Sequence, residues 1–161
     1  MGARRGMSPQ RILVIDDDPT TLELMTDILV TEGYAVSCAS EVDADLRQLF
    51  DAEPQLLIVD LLLSDNGGDL SGWEIVRLVK SHRELRNLQV LVVSADYPSI
   101  RSHITEAAGM DGVRLLTKPF SLDSLSVLVR DALRGPRAVC TGDGSTIAVD
   151  PPDPTPQAEV N

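Results

Sequence analysis

An α/β domain built on a doubly wound, five-stranded parallel sheet is the fold class this sequence predicts. Short β-branched apolar runs alternate with amphipathic segments at even spacing, five units in succession, as strands joined by crossover helices do. The runs are apolar throughout instead of alternating, which fits strands covered by helices on both faces. At 161 residues and 43% hydrophobic content, the chain has the apolar mass for one such domain plus tails.

The first strand is expected over Ile12–Ile15, followed by a helix over Thr20–Thr31. Asp18 and Pro19 supply the start of that helix, a capping carboxylate and then a proline whose missing N–H costs nothing in the first turn; Gly33 supplies its stop. The second unit pairs a strand over Ala35–Cys38 with a helix over Val42–Asp51, and the third pairs Leu56–Val59 with Trp73–His82. The fourth pairs Val90–Val93 with Ser99–Ala107. The fifth runs from Val113–Leu116 to a helix over Leu122–Leu133, capped by Ser121, in which Leu122, Leu125, Leu128, Val129 and Leu133 share one face. Residues 1–9 form a flexible N-terminus by composition. Residues 135–161, with five of the ten prolines and no sustained period, are expected to be a Pro-rich disordered tail.

The formal net charge is −11, and residues 12–134 carry 10 basic against 21 acidic side chains. Binding a phosphate backbone needs clustered Lys and Arg, so direct nucleic-acid contact is not expected, and most of the acids are a solvated surface. Cys38 and Cys140 provide neither a disulfide framework nor a metal–thiolate spacing; Cys38, inside an apolar run, is expected to pack in the core. No apolar run approaches the ~18 residues that span a bilayer, and the start of the chain lacks a signal peptide's apolar segment. A cytoplasmic location without a membrane partner is therefore expected.

In open α/β sheets, ligands sit beyond the carboxyl ends of the strands. Asp16, Asp17 and Asp18 follow the first strand, Asp60 the third, Ser94 the fourth, and Lys118 with Pro119 the fifth; only Ala39 and Ser40 follow the second. Each has a plain reading: acids that complement a helix dipole, a loop carboxylate, a strand-end hydroxyl, a surface cation. Their convergence on one edge of one sheet points further. Clustered carboxylates repel unless a cation neutralises them, and Mg²⁺ is a hard, oxygen-seeking ion that does so while leaving room for a phosphate oxygen. A carboxylate beside it can attack a phosphoryl group to give an acyl phosphate, while an ammonium and a hydroxyl hold the other phosphoryl oxygens.

The pieces ILVIDDDP, LLIVD, VLVVSA and LLTKPF together resemble the receiver domain of two-component response regulators over residues 10–134. The resemblance implies a flavodoxin-like receiver fold with Asp60 as phospho-acceptor. It implies Asp16, Asp17 and Asp60 as the Mg²⁺ ligands, Ser94 as the switch hydroxyl, Lys118 as the phosphate-binding lysine, and a cis Lys118–Pro119 bond. It implies a sensor histidine kinase or phosphotransfer protein as donor, a downstream protein effector, and a homodimer face on the last two helices, with Arg101, Glu106, Arg130 and Arg134. The chemistry is self-directed phosphotransfer and dephosphorylation, so the chain is not expected to be an enzyme acting on other molecules. With no output segment recognisable after residue 134, the signal is expected to pass to a protein partner.

Two departures from the family pattern stand out. Ser64 takes the place of the usual proline after the acceptor, and the glycine that follows, Gly72, comes twelve residues after Asp60, so the loop is enlarged. Leu115 stands three residues before the lysine, where an aromatic usually reports phosphorylation. These departures motivate an alternative, a receiver-like interaction module independent of phosphate. Asp16-x-Asp18-x-Thr20 also matches the nucleophile motif of haloacid-dehalogenase-type phosphatases, and Asp65, Asn66 and Asp69 could form a calcium turn, though without the terminal bidentate glutamate of a full loop. His82 and His103 are expected on the surface and Trp73 as packing at a helix start.

Overall fold

The computed structural model describes residues 8–63 and 70–134, and the backbone of 139–140 and 146–147. Five parallel strands, β1 (Arg11–Ile15), β2 (Ala35–Ala39), β3 (Leu56–Asp60), β4 (Gln89–Ser94) and β5 (Val113–Thr117), lie in the order β2-β1-β3-β4-β5. They are connected by α1 (Pro19–Thr31), α2 (Arg47–Ala52), α3 (Gly72–Ser81) and α4 (Tyr97–Ala108), and α5 (Leu122–Ala132) follows β5. Two short strands, β6 (Val139–Cys140) and β7 (Thr146–Ile147), extend the sheet beyond β5, the first parallel to it and the second antiparallel to β6. That extension was not predicted; the remainder of the expected tail, the first seven residues and the acidic turn with Asp65, Asn66 and Asp69 lie outside the described residues.

The continuous apolar runs follow from burial on two sides. Ile12, Val14, Leu56, Ile58, Leu91 and Val93 join Met25 and Leu29 of α1 and Leu125, Leu128 and Val129 of α5. Their neighbours Leu13, Ile15, Leu57, Val59, Val90 and Val92 point the other way, onto Leu49, Trp73, Ile75, Val76, Val79 and Ile100. Each large aliphatic side chain fully buried in this way contributes ~1.5–3 kcal/mol, so neither face of the sheet is dispensable.

Local signals fix the helix ends. The Asp18 carboxylate accepts from the Thr20 N–H at 3.1 Å, with Pro19 as the first helical residue. Gly33, at φ 97°, turns the chain from α1 toward β2 in the left-handed region that glycine enters without penalty. Ser71 and Glu74 form a reciprocal capping box at the start of α3.

Three expectations are corrected. The second helix covers Arg47–Ala52 and not Val42–Asp51, because Leu46 at its start and Glu53 at its end adopt left-handed backbone angles. Val42 and Leu46 are nevertheless buried, so the apolar spacing there records burial and not a helical backbone. Cys38 is exposed: β2 is the edge strand and none of its five residues is buried; its sulfur instead lies 3.1 Å from the Thr26 hydroxyl. Arg114, counted as part of an apolar strand, is a fully buried cation, its guanidinium donating to Gln89 Oε1 and to the Asp131 carbonyl at the end of α5.

Candidate functional site

The site is assembled at the carboxyl edge of the sheet, where β1 and β3 diverge toward helices on opposite faces. Asp16 directly follows β1 and is almost fully buried; Asp60 ends β3 and is 9% exposed. Ser94 ends β4 with no exposure, and Lys118 directly follows β5. Parallel register does this: Asp60 pairs with Val93 and Ser94 with Thr117, so successive strand ends fall side by side.

The Lys118 ammonium donates to Asp60 Oδ2 at 2.8 Å and to Asp16 Oδ2 at 3.0 Å. The other oxygen of Asp60 accepts from the Leu62 N–H at 2.8 Å, and the other oxygen of Asp16 accepts from the Asp18 N–H at 2.9 Å. Carboxylate oxygens of Asp16, Asp17 and Asp60 all lie within 4.8 Å of one another. The Lys118–Pro119 bond is cis, and the Lys118 N–H donates to the Ser94 carbonyl at 2.7 Å. The Ser94 hydroxyl accepts from the Asp96 N–H at 3.1 Å, ahead of α4.

Burial pushes the Asp16 carboxyl above its ordinary range, the charge of Asp60 adds to the push, and the Asp18 amide and Lys118 pull against both. For Lys118, burial disfavours the ammonium, yet the hydrogen bonds to Asp60 and Asp16 prevail and hold its pKa above the usual lysine value. Three carboxylates face one ammonium, which leaves a surplus of negative charge that a divalent, oxygen-preferring cation fits.

Asp18 does not join this cluster. It is exposed and binds the Thr20 amide and the Thr21 hydroxyl, so the D-x-D-x-T spacing serves a helix cap. Leu115 is buried in the core. Trp73 packs as expected, but His103 is not simply a surface residue: its ring stacks on that of Trp73 with centroids 4.3 Å apart. Glu106 binds Arg77 and Trp73 and so faces α3. Sequence reasoning missed this network, because its members come from two helices separated by a whole strand.

Residues 12–130 match the family model for the response regulator receiver domain. The nitrogen assimilation regulatory protein NtrX of Azorhizobium caulinodans is 30% identical over 122 residues, covering 76% of this chain and 26% of that protein. The transcriptional regulatory protein PrrA of Mycobacterium leprae is 31% identical over 149 residues, covering 91% of this chain and 59% of that protein. In both cases the chain spans less than two thirds of the relative. Among solved structures, a putative response regulator from Chloroflexus aurantiacus superposes with a TM-score of 0.66 at 28% identity, over 78% of this chain and 98% of that one. The receiver domain of NtrX from Brucella abortus gives 0.65 at 27% identity, over 76% and 97%. Since the matched span reaches from within β1 into α5 and takes in Asp16, Asp17, Asp60, Ser94 and Lys118, this chain belongs to the response regulator receiver domain family.

Proposed function

We propose that Asp60 accepts a phosphoryl group from the phosphohistidine of a sensor histidine kinase or phosphotransfer protein in the cytoplasm, with Mg²⁺ bound, and that the phosphorylated chain signals to a protein partner. The observation that carries this reading is the setting of Asp60. One oxygen is held by the Leu62 amide, the other by Lys118, and both lie beside two further carboxylates at a nearly buried strand end.

In this reading Asp16, Asp17 and Asp60 would hold the Mg²⁺, which when bound offsets negative charge on the phosphoryl oxygens. The Leu62 and Lys118 contacts fix the orientation of the Asp60 carboxylate before the donor arrives, which removes part of the ordering cost of the reaction. A carboxylate oxygen attacks phosphorus, the O–P bond forms, and the P–N bond to the donor imidazole breaks with its electron pair returning to the ring. Lys118 exchanges its bond to Asp60 for one to a phosphoryl oxygen, and the Ser94 hydroxyl donates to another. Later a water oxygen attacks phosphorus, the bond to Asp60 breaks, and inorganic phosphate leaves with the carboxylate restored.

Intact-mass measurement after incubation with acetyl phosphate tests the assignment. The wild-type chain gains one phosphoryl group in Mg²⁺ and none after chelation, and Asp60→Asn gains none; a mutant that still gains it overturns Asp60 as acceptor. The exposed arginines Arg101, Arg130 and Arg134 belong to the proposed effector or dimer face, whereas Glu106 is committed to contacts within the chain.

A second reading, an interaction module indifferent to phosphate, draws on Leu115, which is already buried where an aromatic would swing inward. Adding beryllofluoride and Mg²⁺ separates the two: amide exchange unchanged throughout α4 and α5 favours the second, and slowed or quickened exchange there removes it.

A further inference from the structure

A contact network outside the phosphorylation site joins the helix that follows Asp60 to the helix that follows Ser94. The Trp73 indole N–H donates to Glu106 Oε2 at 2.9 Å, and Arg77 donates to both Glu106 oxygens, Nε to Oε1 at 2.7 Å and Nη2 to Oε2 at 2.9 Å. The Trp73 and His103 rings stack at an interplanar angle of 21°, and His103 Nδ1 lies 4.0 Å from Glu106 Oε2. Trp73 is buried, so the indole and its partner carboxylate are not a loose surface pair. The Arg77 guanidinium and the Trp73 N–H hold the Glu106 carboxyl down to about 2.

The positions of the two helix starts give this network a mechanical role. A Cβ on Gly72 would stand 2.0 Å from the Asp60 carbonyl oxygen and 2.8 Å from Leu61 Cα, so the first turn of α3 rests directly on the acceptor's backbone. On the other side, the Ser94 hydroxyl holds the Asp96 amide, and Asp96 is the residue from which α4 begins. Along its length α4 buries only Ile100 and Ala107, a narrow apolar anchorage for twelve residues. His103 and Glu106 add contacts with α3 to the anchorage that Ile100, Ile104 and Ala107 give α4 on the core.

We propose that Trp73, His103, Glu106 and Arg77 form a clamp that holds α4 against α3 in the resting chain and that phosphorylation of Asp60 loosens it. This rests on Asp60 being the acceptor. The phosphoryl group is added to the side chain of the residue whose main-chain carbonyl packs against Gly72, so a shift of the Asp60 backbone passes straight to the first turn of α3. Engagement of the Ser94 hydroxyl draws the start of α4 toward the same point. The two displacements reach opposite sides of the Trp73–His103 stack, which is where they must be absorbed. With Leu115 in place of an aromatic, the clamp supplies the readout that the sheet edge lacks.

Trp73 is the only tryptophan of the chain, so its emission reports on the clamp without added labels. The test compares wild type, Glu106→Gln and Trp73→Phe by amide exchange over Tyr97–Ala108. It also compares emission for the two tryptophan-containing chains, with phosphorylation by acetyl phosphate in Mg²⁺ followed by intact mass. In the unphosphorylated state Glu106→Gln and Trp73→Phe exchange several-fold faster across α4 than wild type, while α5 is unchanged and the phosphoryl group is still acquired. Phosphorylated wild type shows the same faster exchange in α4 and the emission of Glu106→Gln. Resting-state exchange in both variants equal to wild type overturns the clamp. Full phosphorylation of wild type with neither exchange nor emission altered overturns its coupling to Asp60. Absence of any mass gain in wild type sinks the acceptor assignment, and the release with it, while the hold on α4 is still decided by the two variants.

Discussion

At the scale of single residues, three consecutive aspartates divide into different tasks because the chain turns from strand to helix beneath them. Asp16 is buried and paired with Lys118, whereas Asp18 faces solvent and caps α1. A sequence shows the triplet but not the direction of each carboxylate; only the D-P pair at Asp18–Pro19 marks which one is the cap. The burial of Asp16 has a measurable consequence. An acid whose folded pKa is raised binds its proton more readily in the fold than in the unfolded chain, so its ionisation costs stability as pH rises from below about 4 through the raised value. Asp16→Asn removes that cost. The variant is at least as resistant to urea as wild type at neutral pH without metal, and it fails to bind Mg²⁺ by calorimetry; a variant both weaker in urea and still binding Mg²⁺ contradicts the assigned role.

At the scale of elements, the start of α3 carries the greatest constraint. The Ser71–Glu74 capping box sets where the helix begins, and Gly72 is the one residue able to lie against the Asp60 carbonyl. Gly72→Ala therefore forces a backbone shift. It destabilises the fold by roughly 1–3 kcal/mol in chemical denaturation and slows phosphorylation at saturating acetyl phosphate, whereas unchanged values of both place α3 elsewhere. The five strands and the starts of α1 and α5 were legible because apolar runs, Asp-Pro and Ser before an apolar face are local signals. The extent of α2 was not, since Val42 and Leu46 satisfy a helical spacing while the backbone at Leu46 is left-handed. Nor was the exposure of Cys38, because an edge strand and a central one carry the same apolar letters.

At the scale of the whole molecule, the arrangement of helices around the sheet creates interactions between residues far apart in the chain. Glu106 is one. With its folded pKa lowered to about 2 from an ordinary 4.5, its pairing contributes stability that is fully present above pH 4.5 and is lost as pH falls toward 2. The stability difference between wild type and Glu106→Gln accordingly narrows across that window in pH-dependent urea titrations and closes only below the folded pKa; a difference as large at pH 2 as at pH 6 assigns it to packing instead. The alternation of apolar and amphipathic segments determined the α/β class and its five parallel strands. The reactive residues after four of those strands pointed to one edge, because parallel strands place all their carboxyl ends together. Tertiary structure alone decided which acids share that edge and which merely cap a helix, that Arg114 is a buried cation held by Gln89 and the end of α5, and that Trp73 and Arg77 meet His103 and Glu106. The reason is physical: local periodicity and capping act within a few residues, whereas contacts between elements depend on strand order and helix packing, which no short stretch of sequence encodes.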